Sequence, residues 1–291
     1  MSKNVRDATG KNITFDQFNM KDMCENASIV MIAKRGSGKS WVTRAILDYF
    51  RKIPAGIIIA PTDKMSSFYG QFFPDSFIYY EYSSEIIEAV LQRQAALIDK
   101  QKEKTKKGKT LDVRGFIIMD DCLGRSKGWS NDESIKELLF NGRHYKLMYI
   151  LTMQFPLGIG PSLRSNFDYI FLLATDNNSE MKKMYEHYAG MFPDLASFKQ
   201  VFEGLTRQFG SMVIINRGQR ENFLDKIKWY KAPSDLDKIF LDYGCKQFRY
   251  FHKKNYNENW KNKASGFDMN EFVNKKKKSR SQMRIVKNGS Q

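Results

Sequence analysis

The chain predicts an α/β sandwich of three layers, in which a mainly parallel central sheet carries helices on both faces. Three observations support this. Short apolar runs rich in Ile, Val, Phe and Tyr recur along most of the 291 residues. They lack the strict alternation of a strand with one wet face, and amphipathic helical patterns fall between them. Strands buried on both faces show such unbroken apolar runs. Strands that alternate with helices are joined by right-handed crossovers around a parallel sheet. Hydrophobic residues make up 42% of the chain and aromatics 14%, enough to build one large core.

The predicted strands are 28–32 (SIVMI), 56–60 (GIIIA), 77–82 (FIYYEY), 115–119 (GFIIM), 147–152 (LMYILT), 168–174 (DYIFLLA) and 211–215 (SMVII). A helix over 41–50 places Trp41, Val42, Ala45, Ile46 and Tyr49 on one face. A second helix covers 84–103, and the Lys-rich KQKEKTKKGK at 100–109 predicts a solvated loop before the next strand. A third helix starts at Ser130, where Ser-x-x-Glu to Glu133 has the form of a capping box ahead of Ile135, Leu138 and Leu139. After Trp229-Tyr230-Lys231 the strand pattern stops, and a capped helix is expected from Ser234-x-x-Asp237. CKQFRYFHKKNYNENWKNK at 245–263 then interleaves aromatics with bases. It suits either a grip on nucleic acid or a small amphipathic unit packed on the sheet. The chain closes with seven Lys/Arg and no acid after Asn274, a composition that predicts disorder. Its KKKKSR run suits a nuclear-import signal, a DNA-contacting arm or a solubilising tail. No internal repeat is present.

Net charge is +16, from 48 Lys+Arg against 32 Asp+Glu. Half of that surplus lies in residues 232–291, where 14 basic residues meet 6 acidic ones. Such an excess favours an anionic partner, nucleic acid first. Cys24, Cys122 and Cys245 form no C-x-x-C pair, so zinc spacings and a disulfide framework are excluded and a reducing compartment is expected. The N-terminus lacks the apolar core of a signal peptide, and the longest apolar runs, such as YIFLLA at 169–174, are too short to span a bilayer. A soluble intracellular protein is expected. His144, His187 and His252 stand apart from clustered acids or thiols, which argues against a metal site of their own. His187, between Tyr185 and Tyr188, is expected to pack.

The chemistry concentrates in SIVMIAKRGSGKSWVTRAILDYF, residues 28–50. Its octet AKRGSGKS follows the phosphate-loop pattern G-x-x-x-x-G-K-[ST], with Ala33 in place of the first Gly. Lys34, Arg35, Gly36, Ser37 and Gly38 would turn backbone N–H groups around phosphate oxygens, and the following helix adds its positive end. Lys39 would reach the β- and γ-phosphates of ATP, and Ser40 would ligate Mg²⁺. Ala33 sits where a small residue is needed but a left-handed backbone is not. Phe116-Ile117-Ile118-Met119-Asp120-Asp121 then has the form of a Walker B strand. Asp120 would hold the Mg²⁺ shell, and Asp121, one methylene shorter than the usual Glu, would polarise the attacking water. Gln154 ends the strand LMYILTMQ, where it would sense the γ-phosphate. Two arginines suit a finger on the transferring phosphate, Arg143 and Arg164. A structural or DNA-facing role is open for each, and Arg143, read as standing near the nucleotide edge of the sheet, is preferred.

With AKRGSGKS, FIIMDDC, NGRHYKLMYILTMQ and PSLRSNFDYIF in this order, the chain resembles the genome-packaging ATPases of poxviruses and giant viruses, within the FtsK–HerA group of P-loop motors. EMKKMYEHYAGMFPDLASFKQVFEGLT and KWYKA extend the resemblance, which covers roughly 15–232. It implies an additional-strand, RecA/FtsK–HerA-like P-loop fold, with the Gln154 strand between the Walker A and Walker B strands. It also implies ATP and Mg²⁺ as cofactors and a homo-oligomeric ring driving double-stranded DNA into a preformed capsid. A capsid portal or vertex protein would be its partner, at viral assembly sites in the host cytoplasm. In that frame Arg143 is the trans-acting finger. The chain divides accordingly into a P-loop ATPase domain (1–232), a basic aromatic extension (233–273) and a basic tail (274–291). Two other readings use the same loop. A nucleotide kinase would need an Arg-rich lid and an acceptor pocket. A nucleotide-binding DNA-binding or virion structural protein would use the loop only to fix a conformation, a reading that Ala33 and the short Asp121 support.

Overall fold

The apolar runs become strands, and their order in the sheet positions the site. The structure is a computed structural model that describes residues 2–6, 12–122, 129–238 and 243–256. In chain order the strands are β1 (Ser2–Arg6), β2 (Asn12–Asp16), β3 (Ser28–Ile32), β4 (Ala55–Ile59), β5 (Ile78–Tyr79), β6 (Gly115–Asp120), β7 (Leu147–Met153), β8 (Tyr169–Leu173), β9 (Ser211–Ile215) and β10 (Ile227–Tyr230). The α-helices are α1 (Lys39–Tyr49), α2 (Asp63–Ser66), α3 (Ser84–Lys106), α4 (Glu133–Asn141), α5 (Pro161–Arg164), α6 (Asn178–Tyr188), α7 (Leu195–Thr206), α8 (Phe223–Lys226) and α9 (Lys246–Asn255).

Among the described residues, eight strands form one sheet in the order β10-β9-β8-β3-β7-β6-β4-β5. From β8 to β5 every pairing is parallel, and β9 and β10 join antiparallel at one edge. The strand β7 is inserted between β3 and β6, opposite Ile32 through Met153 and opposite Asp120 through Thr152. The carboxyl ends of β3, β7 and β6 therefore converge, and ligands of open parallel sheets bind beyond such ends.

Neighbouring residues of one strand feed opposite cores, which is why the runs show no alternation. Val30 and Ile32 pack on one face with Ile117, Met119 and Leu151. Ile29 and Met31 pack on the other with Ile118, Met148 and Ile150. The first face is covered by α3, α4, α6 and α7, the second by α1 and α9. This is the expected three-layer sandwich. Gly56 on β4 shows how closely the sheet is filled, because the ring of Phe116 on β6 lies 2.5 Å from where a Cβ would stand. Gly56→Ala is expected to destabilise the fold by about 1–3 kcal/mol through overpacking, measured by urea unfolding.

Several expectations are corrected. The polar N-terminus forms the hairpin β1–β2, with Val5 and Phe15 turned inward. One deeply buried residue per five-residue strand was too little pattern to read. The run 77–82 is a strand only over Ile78–Tyr79. The Lys-rich loop is helical as far as Lys106, and the chain turns at Gly108 (φ +65°). Lysines in the last turns of α3 face the negative end of the helix dipole, which favours them there. The helix α4 begins at Glu133, and its cap is Asp132, which accepts from the Ser134 amide; Ser130 lies in a preceding 3₁₀ turn. Where a helix is expected from Ser234, the described residues form a 3₁₀ turn, Leu236–Lys238, and residues 239–242 lie outside them.

In the extension, Phe248 of α9 stacks on Phe77 with ring centroids 3.9 Å apart, and the Cys245 amide donates to the Pro54 carbonyl. The described part of that stretch therefore packs on the sheet, while Tyr250 faces solvent. Residues 257 to 291, including the KKKKSR tail, lie outside the described residues. Among the described residues no helix is long and apolar enough to cross a membrane.

Candidate active site

The β3 strand ends at Ile32, and the Ala33 amide donates to the Met153 carbonyl (3.0 Å), which ties the start of the loop to β7. Ala33 is fully buried and is not among the residues with positive φ, so alanine costs the loop nothing in backbone conformation. The turn that follows needs its two glycines. Gly36 has φ +75° and Gly38 φ +99°, both in the left-handed region. Ser37 turns inward and donates to the Lys34 carbonyl (2.7 Å). Gly38 is the N-cap of α1 and offers no side chain to the first-turn amides. Gly38, Lys39 and Ser40 line the cleft, and first-turn N–H groups lack an acceptor within their own helix, which an anion there would supply.

The floor of the cleft is an ion-paired cluster. Lys39 Nζ stands 3.0 Å from Asp120 Oδ1 and 2.5 Å from Asp121 Oδ2. Thr152 Oγ1 donates to Asp120 Oδ1, and Tyr69 OH donates to Asp120 Oδ2 at 3.1 Å. Gln154 Nε2 donates to Asp121 Oδ2 at 3.0 Å. Asp121 itself has φ +53°, which bends the chain off β6, and its amide donates to Thr152 Oγ1 at 3.2 Å. A non-glycine residue in that region stores strain that a functional site has reason to keep. Lys34, Arg35, Gly36, Gly38, Lys39, Ser40, Asp120, Asp121 and Gln154 all line one cleft of about 520 Å³. That volume is within the range of small-ligand sites.

Three residues of this cluster were missed in the sequence. Thr152 is a polar residue inside the apolar strand LMYILTMQ and stands opposite Asp120 in register; its position two residues before Gln154 was a usable signal. Tyr69 and Asp63 gave none, because the turn after β4 brings them in. Asp63 is buried, accepts from the Tyr69 amide through Oδ1 (2.8 Å), and leaves Oδ2 without a hydrogen-bond partner. Burial pushes its carboxyl up. The same burial, together with Asp120, holds the Tyr69 hydroxyl well above its usual range, so it stays a donor. Tyr69→Phe is expected to cost about 1.5–3 kcal/mol, the range for a hydrogen bond to a charged group, read by denaturant titration.

Both arginines fall outside the cleft. Arg143 lies in the turn before β7 and its carbonyl accepts from Asn26, which precedes β3. This is the amino edge of the sheet, about 20 Å from Gln154 along seven residues of strand. The expectation that Arg143 stands near the nucleotide edge is corrected: the strand that follows it runs towards the loop, so the residue before it lies at the far end. Its side chain is exposed. Arg164, in α5, is half-buried with its guanidinium 5.8 Å from the Tyr188 ring centre. Lys34 closes the rim through Asp176 (2.6 Å). His187 is exposed, not packed; its neighbours Tyr185 and Tyr188 take that role. Among the described residues no group of three or more His, Cys, Asp or Glu could hold a metal ion.

A Walker A loop, a Walker B strand and a strand inserted between them define the additional-strand class of P-loop NTPase folds. The chain belongs to a family of viral proteins that includes "Uncharacterized protein L437" of Acanthamoeba polyphaga mimivirus, to which it is 50% identical over 241 residues (83% of this chain and 84% of the relative). It is also 31% identical over 236 residues to "Uncharacterized protein 075L" of Invertebrate iridescent virus 6, covering 80% of this chain and 88% of the relative. No protein-family model matches the chain. Among solved structures it is similar to the genome packaging NTPase B204 from Sulfolobus turreted icosahedral virus 2 in complex with ATP-gammaS, at 18% identity and TM-score 0.47, over 72% of this chain and 99% of that one. It is also similar to EssC (ATPases 2 and 3) from Geobacillus thermodenitrificans, at 12% identity and TM-score 0.47, over 87% of this chain and 48% of that one.

Proposed function

We propose that the chain is an ATP-driven motor that translocates double-stranded DNA and packages a viral genome into a preformed capsid. The observation that carries this is the Lys39–Asp120–Asp121–Gln154 cluster at the carboxyl ends of three adjacent strands. It supplies a cation for phosphate, a carboxylate for a metal shell, and a second carboxylate oriented by an amide. A water placed against Asp121 would be the nucleophile, which favours hydrolysis over transfer to another acceptor. The ordered motifs, the kinship with viral proteins and the +16 charge support the motor reading.

Each group then has a task. The amides of residues 34–39 cradle the phosphates, and Lys39 exchanges its carboxylate partners for phosphate oxygens. Mg²⁺ would neutralise phosphate charge between Ser40 and Asp120. The residues fit such a cation, because Asp120 is a buried carboxylate that lines the same cleft as Ser40 and already faces the Lys39 ammonium. Gln154 holds Asp121 until the γ-phosphate position changes, which makes it a sensor. In a homo-oligomeric ring the finger comes from a neighbouring subunit, and the exposed Arg143 is better placed to reach out than Arg164 under Tyr188. A capsid vertex or portal protein at a cytoplasmic assembly site completes the reading.

The test is ATP turnover by the full chain with and without duplex DNA. Stimulation that falls steeply with salt is expected, because phosphate contacts release counterions. No stimulation of an assembled, ATP-hydrolysing protein at low salt would overturn the motor; no hydrolysis at all would overturn the enzyme.

A further inference from the structure

We infer that Phe209 is the base platform of this nucleotide site, an aromatic face on which the purine of the bound triphosphate stacks. The inference rests on the P-loop reading and assigns a part of the cleft that no motif covers. Phe209 lines the same cleft as Gly38 and Lys39, yet 64% of it is exposed. Its Cβ and Cδ1 lie 3.6 Å from where a Cβ on Gly38 would stand, so the side chain sits over the last glycine of the loop.

The backbone there is held at a cost. Gln208 (φ 55°) and Phe209 (φ 63°) are consecutive residues in the left-handed region, where only glycine is at ease, and Gly210 directly after them is not. A chain that strains two side-chain-bearing residues to present a ring to water has a use for that ring. Direction agrees with placement. Phe209 leads into β9, on the β8–β9 side of the loop, whereas Asp120, Asp121 and Gln154 lie on the β6–β7 side. A triphosphate whose terminal group meets the carboxylates directs its nucleoside away from them, towards Phe209. Trp41, in the first turn of α1, lines the same cleft and adds a second aromatic surface.

Stacking on an aromatic ring is worth about tenfold or more in affinity per base, and inorganic tripolyphosphate keeps the phosphates of ATP while lacking its ribose and base. Calorimetric titration of the full chain with each, in Mg²⁺, tests the inference. Phe209→Ala is expected to raise the Kd for ATP about tenfold and leave that for tripolyphosphate unchanged, while Phe209→Tyr keeps the wild-type value for both. Phe209→Gly relieves the left-handed backbone, so it should lose the same ATP affinity without lowering Tm. A Phe209→Ala chain that binds ATP like the wild type overturns the platform, and so does equal loss of both ligands, which would make Phe209 a prop for the loop. A wild-type chain that binds tripolyphosphate no more weakly than ATP also overturns it. A wild-type chain that binds neither sinks the phosphate-loop reading and the platform with it.

Discussion

Lys39→Ala is expected to lower ATP turnover by about 10³-fold, the effect of removing a preorganised charge from a phosphoryl transition state. The structure adds a consequence for the unliganded protein. Lys39 holds two largely buried carboxylates, at 3.0 and 2.5 Å, and its removal leaves Asp120 and Asp121 facing each other without a countercharge. Breaking a fully buried pair costs about 3–5 kcal/mol, and the open cleft should reduce that to about 1–3 kcal/mol by admitting water. A divalent cation is the natural replacement for the lost ammonium. The Lys39→Ala protein should therefore melt lower than wild type in EDTA and recover part of the loss in Mg²⁺, without recovering turnover. Thermal melts in the two buffers, beside a phosphate-release assay, check both halves. A variant equally stable in both buffers would show that the cluster is not the cation-hungry site drawn from it.

Asp121→Asn should separate chemistry from binding. The carboxylate is the proposed base, and losing it is expected to reduce kcat by about 10²–10⁴-fold. KM should move little, because Asp121 makes no contact with the phosphate cradle other than through Lys39. The substitution is also gentle on the fold. Asp121 has φ +53°, and Asn tolerates the left-handed region better than most residues. The Gln154 amide can still find a carbonyl oxygen on the new side chain. Initial rates over a range of ATP, with an unfolding curve for the same sample, distinguish the outcomes. A large rise in KM with kcat preserved would make Asp121 a binding residue and leave the base unassigned.

The octet AKRGSGKS and the run FIIMDD could be read directly because their constraints are local. Gly36 and Gly38 need positive φ, Lys39 follows by chain connectivity, and an apolar strand ending in Asp120 and Asp121 presents them wherever it ends. Buried strands were equally visible, since Ile29 to Ile32 must satisfy two apolar faces at once. The N-terminal hairpin was not, because Val5 and Phe15 are single deeply buried residues in polar surroundings. Ser130 was a cap by pattern but not in fact, because Asp132 stands two residues further on and bonds the Ser134 amide.

By itself the sequence determined the turn at Gly36 and Gly38, the strand that ends in Asp120 and Asp121, Gln154 at the end of a buried strand and the sandwich that holds them, since each depends on a few adjacent residues and their side-chain period. The tertiary structure alone decided what surrounds them. It brought Tyr69 and Thr152 onto Asp120, set Phe209 over Gly38, and sent Arg143 to the far edge of the sheet. Those placements follow from strand order and direction, which arise from contacts between residues distant in the chain and leave no periodic trace in it.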